Sequence, residues 1–195
     1  TFSGSGNMVK FTSIKTLNPR LWINDEVINA FLLRVLKPKV SSSRVYIFSS
    51  FFMSQLMNTG PNGTLPPTFT YSNVKSWDRK LRRTGKILSV PEIFVPINHR
   101  QEHWLFLRAS TSTKCIQLWD PQGLKPSNRV YMEYMLGYLG RKYLDQHQCS
   151  EEDAIEWMET WTLTDESARS PSQHNGYDCG LFLLTSITLL SQRFP

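Results

Sequence analysis

Four side chains in this 195-residue chain have the types and spacing of a nucleophilic site. A thiolate rather than a thiol attacks a carbonyl, and Cys179 stands where a polar turn, QHNGYDCG, opens a run of apolar residues at helical spacing. The unpaired N–H groups and positive end of such a helix favour an anion, which would hold the sulfur ready at the mouth of a cleft. A base is needed as well, and His103 directly precedes a β-type run, 104–108, that would hold it on a rigid element. Asp120 ends the next β-type run, 115–119, so its carboxylate can orient the imidazole at one sheet edge. Gln173, shortly before Cys179, can aim its amide at an oxyanion alongside the Cys179 backbone N–H. Taken singly, each residue has a plainer reading. A free cysteine is usually a small buried hydrophobe, His103 and Asp120 are turn residues beside Arg100 and Pro121, and Gln173 is a solvated loop side chain.

The elements that must position these groups follow from pattern. Asn24 reads as a helix N-cap, with Asp25 and Glu26 in the positive first turn. Val27, Ile28, Phe31, Leu32, Val35 and Leu36 then repeat at helical spacing until Pro38. A β-type stretch covers 44–48, and a helix over 51–57 turns Phe52, Leu56 and Met57 inward. Residues 58–67, rich in Gly and Pro, read as a surface loop. The spacing of Val74, Trp77 and Leu81 predicts an amphipathic helix over 73–81. Runs at 93–97, 104–108 and 115–119 predict neighbouring strands. After the PQG turn, 129–144 predicts a helix that Gly137 and Gly140 weaken. Residues 156–163 are expected to end in an edge strand, and 179–190 predicts a helix apolar nearly all round, hence buried. Helices and strands interleave without strict alternation, so the expected class is α+β with a central mixed sheet flanked by helices.

Composition narrows the functional classes. A chain with 40% hydrophobic residues fills one sizeable core, and we expect one domain over 11–195, with 1–10 set aside as a polar linker or expression remnant. The net charge of +6 suits acidic partners. The densest basic cluster, Lys75, Arg79, Lys80, Arg82, Arg83 and Lys86, lacks the Gly-rich or aromatic interleaving of single-strand binders. It reads as a solvated helix face, so no nucleic acid is expected as a partner. Three cysteines without a CxxC pair suggest neither a disulfide framework nor a zinc site. No apolar run reaches the ~20 residues of a membrane span, and no signal peptide opens the chain. We therefore expect an intracellular protein working without a membrane.

The motifs also carry a resemblance. HW at 103–104, LWDPQG around Asp120 and QHNGYDCG ending at Gly180 together resemble the Ulp/SENP family of SUMO-specific cysteine proteases, papain-like enzymes whose chain order is His, Asp, Gln, Cys. LWINDEVINAFLLRV and IFVPINHRQEHWLFL extend the similarity over 17–190. The resemblance implies a papain-like core with His103 as base, Asp120 as its orienter, Gln173 as oxyanion donor and Cys179 as nucleophile. It implies that Trp22 and Trp104 form a narrow tunnel for a Gly-Gly tail, which suits two residues without side chains; core packing explains both tryptophans as well. Asp25 matches a position that contacts a basic residue of the modifier, and a first-turn acid is an equal explanation. The implied reaction is hydrolysis after the C-terminal Gly-Gly of a ubiquitin-like modifier, SUMO first, by a monomer with no metal or organic cofactor, in nucleus or cytoplasm with the nucleus favoured. A NEDD8- or ubiquitin-directed protease, a Cys-His-Asp acetyltransferase and an inactive modifier-binding domain are the alternatives. Family domains generally continue beyond the nucleophile helix, so a truncated C-terminus or a shortened member is expected here.

Overall fold

The computed structural model describes residues 9–41, 43–60, 66–79, 81 and 86–193. A short helix α1 (Phe11–Ile14) precedes α2 (Asp25–Ala30), whose start is set as the sequence predicts: the Asn24 side chain accepts from the Val27 N–H at 3.1 Å. Beyond Ala30 the helix widens into a π segment, Phe31–Leu36, and closes with a 3₁₀ turn, Lys37–Lys39, that contains Pro38. Ile28, Leu32 and Leu36 are buried from this run, whereas Val35 faces out.

Five strands form one mixed sheet in the order β1 (Val45–Ile47), β2 (Glu92–His99), β3 (His103–Ser110), β4 (Cys115–Trp119) and β5 (Thr162–Asp165). β1 and β2 are parallel, β2 through β4 are antiparallel, and β4 and β5 are parallel. Successive strand residues point to opposite faces, and that period sorts the two cores. Ile93, Val95 and Ile97 of β2 with Leu105, Leu107 and Ala109 of β3 pack under α3 (Phe51–Met57) and α4 (Arg129–His147). Phe94, Trp104 and Phe106 pack on the other face with α2 and α6 (Cys179–Ser191). The sheet is thus flanked by helices on both sides, an α+β architecture.

Three expectations need correction. Residues 73–81 do not form a regular helix: a 3₁₀ turn, Tyr71–Asn73, runs into further turns, although Val74 and Leu81 are buried. Lys142, buried on α4, donates from Nζ to the Lys75 carbonyl and to Asp78 Oδ1, each at 2.6 Å, and so pins these turns to α4 through a distant contact that local spacing does not show. Of the basic cluster, Lys80, Arg82 and Arg83 lie outside the described residues, as do 61–65 of the expected loop.

The second correction is a helix, α5 (Glu151–Glu159), ahead of the edge strand. Ser150 and Asp153 form its capping box, and three acids fill its first turn. It packs on α4 through stacked Tyr143 and Trp157 rings, 4.6 Å apart, and through Met158 seated against Gly140. The absence of a side chain at Gly140, which weakens the helix in isolation, is what lets α5 approach. The third concerns α6, which buries Leu183, Leu184 and Ile187 but leaves Leu181 and Leu189 exposed, so it is apolar on its outer face too without being buried there.

Candidate active site

The residues singled out in sequence converge at one end of β3. His103 opens that strand and Asp120 directly follows β4, and the antiparallel register brings the two ends together. Nε2 of His103 lies 2.6 Å from Asp120 Oδ1, with His103 6% exposed and Asp120 fully buried. Cys179 begins α6, which packs against β3, but the residue is 1% exposed and so is buried, not set at the mouth of a cleft. Nδ1 of His103, the ring nitrogen not used by Asp120, is buried and meets no partner at hydrogen-bond geometry. The imidazole and the thiol are nevertheless close enough to shift one another's titration.

The electrostatics follow from burial and partners. Burial pushes the Cys179 thiol up, but the His103 side chain and the backbone N–H groups of Trp104 and Gly180 outweigh it and hold the thiol below its ordinary value. For His103, burial opposes the charged ring, whereas Asp120 and the neighbouring sulfur favour it, and the result is a raised value. Asp120 is desolvated, yet His103, the Gln122 N–H and Lys125 hold its carboxyl below the usual range. All three shifts favour thiolate, imidazolium and carboxylate in a row.

The helix start approaches β3 closely because residue 180 is glycine. A Cβ there would sit 3.1 Å from Ile23 Cβ and 3.3 Å from Trp104 Cδ1. Trp104 is buried and its indole N–H donates to the Ile23 carbonyl at 2.7 Å, while half-exposed Trp22 donates to the Gly176 carbonyl at 2.6 Å. The two indoles therefore stitch the segment before α2 to β3 and to the loop that precedes Cys179. That loop takes its shape from Asn175, whose Oδ1 accepts from the N–H groups of Tyr177 and Asp178 and whose Nδ2 donates to Asp178, an Asx turn.

Gln173 donates from Nε2 to the Asn175 carbonyl at 2.7 Å, and its backbone N–H reaches the Pro121 carbonyl at 2.9 Å, tying the nucleophile loop to the Asp120 turn. Because that carbonyl can only accept, the amide orientation is fixed, and Nε2 retains a second N–H. Gln173 Oε1 is buried without a partner. Asp25 belongs to the first turn of α2, and its carboxylate accepts from Ser50 Oγ at 2.7 Å and Asn98 Nδ2 at 3.3 Å. It lines a cavity of about 580 Å³ with His99, Arg100, Gln101 and Tyr131.

Sequence reasoning missed the groups around Asp120. Its Oδ1 also accepts from the Gln122 N–H at 2.8 Å, its Oδ2 accepts from Asn128 Nδ2 at 2.9 Å, and its own N–H donates to Ser167 Oγ at 2.9 Å. Asn128 has the signature of a helix cap and Ser167 that of a turn, so only the folded chain distinguishes them. Among the described residues there is no group of three or more His, Cys, Asp or Glu that could hold a metal, and no helix is long and apolar enough to cross a membrane.

A thiol at a helix start, met by an imidazole and a carboxylate from a sheet edge, on an α+β scaffold of this topology, defines a papain-like core. Residues 21–195 match the Ulp1 protease family, C-terminal catalytic domain, and the chain belongs to that family. It is 28% identical over 189 residues to human sentrin-specific protease 5, covering 97% of this chain and 22% of that protein. Human sentrin-specific protease 2 is 30% identical over 184 residues, covering 93% and 28%. The chain thus spans less than a third of either relative. Among solved structures, a SUMO protease Ulp1 superposes with a TM-score of 0.71 at 25% identity over 94% of this chain and 73% of that one. The Ulp1 protease domain in complex with Smt3, the yeast ortholog of SUMO, gives 0.69 at 26% identity, covering 94% and 72%.

Proposed function

We propose that this chain is a cysteine protease domain, acting as one unit over 11–195, that hydrolyses the peptide or isopeptide bond after the C-terminal Gly-Gly of a ubiquitin-like modifier, SUMO foremost. The observation that carries the reading is the buried pair of His103 and Asp120 at 2.6 Å beside the Cys179 thiol. In this reading Nδ1 of His103 takes the proton from Cys179, and the sulfur attacks the glycine carbonyl carbon. Gln173 Nε2 and the Cys179 backbone N–H donate to the oxyanion. The C–N bond breaks as His103 returns its proton to the leaving amine, a thioester remains, and water deprotonated by His103 then releases the modifier's carboxylate. Trp22 and Trp104 flank the path to the sulfur and admit a segment without side chains, and Asp25 faces the modifier. No step needs a metal or organic cofactor. The names of the relatives, sentrin-specific protease and SUMO protease, support SUMO as the modifier, and in this reading the domain works inside the cell, with the nucleus favoured by the family resemblance.

The test is incubation with SUMO, NEDD8 and ubiquitin that each carry a thiol-reactive C-terminus. Covalent capture of the SUMO probe, lost in Cys179→Ala, is the expected result. Capture of NEDD8 or ubiquitin instead would change the substrate, and failure with all three would remove the protease reading.

A further inference from the structure

We propose that Asn128 is a positioning residue that fixes the Asp120 carboxylate with Oδ1 toward His103 and thereby sets the pH range over which Cys179 is reactive. The proposal rests on the site reading above and adds a residue to it. Asn128 ends the 3₁₀ turn Pro126–Asn128 that runs straight into α4, and its helical backbone, φ −75° and ψ −11°, sets it inside the helix's first turn rather than at a cap. Its side chain makes no capping bond. Instead the side chain is buried, 2% exposed, and Nδ2 donates to Asp120 Oδ2 at 2.9 Å. A first-turn amide kept out of water with its donor on a fully buried carboxylate indicates that the contact to Asp120 is what the position serves.

The geometry shows why such a grip matters. A carboxylate turns about its terminal torsion with a broad, two-fold preference, so either oxygen can face the imidazole unless something distinguishes them. Oδ1 is held by His103 and the Gln122 N–H, and Oδ2 by Asn128. The other cation on that side, Lys125, is 3.9 Å from Oδ2, is 42% exposed and bonds Gln122 Oε1 at 2.5 Å. Further titratable groups near the pair come from other elements: Cys179 on α6, His99 on β2, and Tyr131 on α4, whose hydroxyl meets the His99 ring.

Two substitutions separate positioning from helix formation, because Ser and Asp differ little from Asn in helix propensity and Asp suits a first turn. Asn128→Ser should melt within a few degrees of wild type, cut its substrate with kcat lowered roughly ten- to a hundredfold and keep KM. The thiolate should appear at higher pH when Cys179 is alkylated with iodoacetamide across a pH series. Asn128→Asp should be slower still at neutral pH, where two carboxylates repel. It should recover part of its rate relative to wild type in acid, where the introduced carboxyl is protonated and donates again. Retention of wild-type kcat and alkylation profile by both variants overturns the proposal, as does failure of both to fold, since positioning predicts a folded, slow protein. Alkylation needs no modifier, so its profile tests Asn128 even if wild type captures none of the three probes.

Discussion

Nε2 of His103 and Oδ1 of Asp120 meet at 2.6 Å where neither side chain has appreciable access to water. In such surroundings an ionic hydrogen bond is stronger than at the surface and an unpaired partner is costly. The pair therefore bears on both reactivity and folding.

Asp120→Asn should narrow the pH range of activity from both sides. The Cys179 thiol lies below its ordinary value and the His103 ring above its own, and both shifts favour the thiolate–imidazolium pair over the neutral one. Without the carboxylate the imidazolium is less favoured, the acid limb of kcat/KM moves up and the alkaline limb moves down, and the maximum falls by on the order of 100-fold or more. A pH profile with a fluorogenic modifier substrate checks it.

The same pair makes stability depend on pH. Asp120 is depressed from 3.8, so its contribution is complete above that value and is lost as pH falls through the folded one. His103 is raised from 6.5, so its contribution is complete below that value and is lost as pH rises through the folded one. The difference in urea midpoint between wild type and Asp120→Asn should be largest between the two ordinary values and shrink on either side.

Gly180→Val should harm the site more than the fold. Its Cβ would press on Ile23 and Trp104 at 3.1 and 3.3 Å, and relief means moving the start of α6, with Cys179, away from His103. Melting should drop by only a few degrees, while alkylation of Cys179 at mildly acidic pH slows by roughly tenfold or more.

Lys142→Met should cost stability without touching the site. Its Nζ is buried against Asp78 and the Lys75 carbonyl, so removal leaves a nearly buried carboxylate and a carbonyl unpaired. A loss of about 3 kcal/mol in urea unfolding is expected, with kcat unchanged in the folded fraction.

Much of this architecture is legible in local pattern. The N-cap at Asn24, the helix Phe51–Met57 and the strands bearing His103 and Asp120 follow from caps, periodicity and turns, because each is dictated by neighbours in sequence. What escapes is decided by distant partners. The turns at 73–81 are pinned to α4 by Lys142 through the Lys75 carbonyl and Asp78, and no local pattern reveals that. α5 is different: Ser150 and Asp153 spell a capping box, with Glu151 and Glu152 between them, that the aromatic residues downstream obscured. In the candidate site, the residues with reactive chemistry were visible, whereas Asn128 and Ser167, which act through contacts, resembled a cap and a turn.

The order of these elements along the chain also bears on biosynthesis. The base strand and the Asp120 turn precede α6, whose inner residues Leu183, Leu184 and Ile187 close the core over Phe94 and Phe106. A nascent chain emerging from the ribosome holds His103 and Asp120 before Cys179 can join them, and the side of the sheet that receives Cys179 remains open until α6 docks. The meeting of Cys179 with His103 and the completion of that core thus arrive in one step.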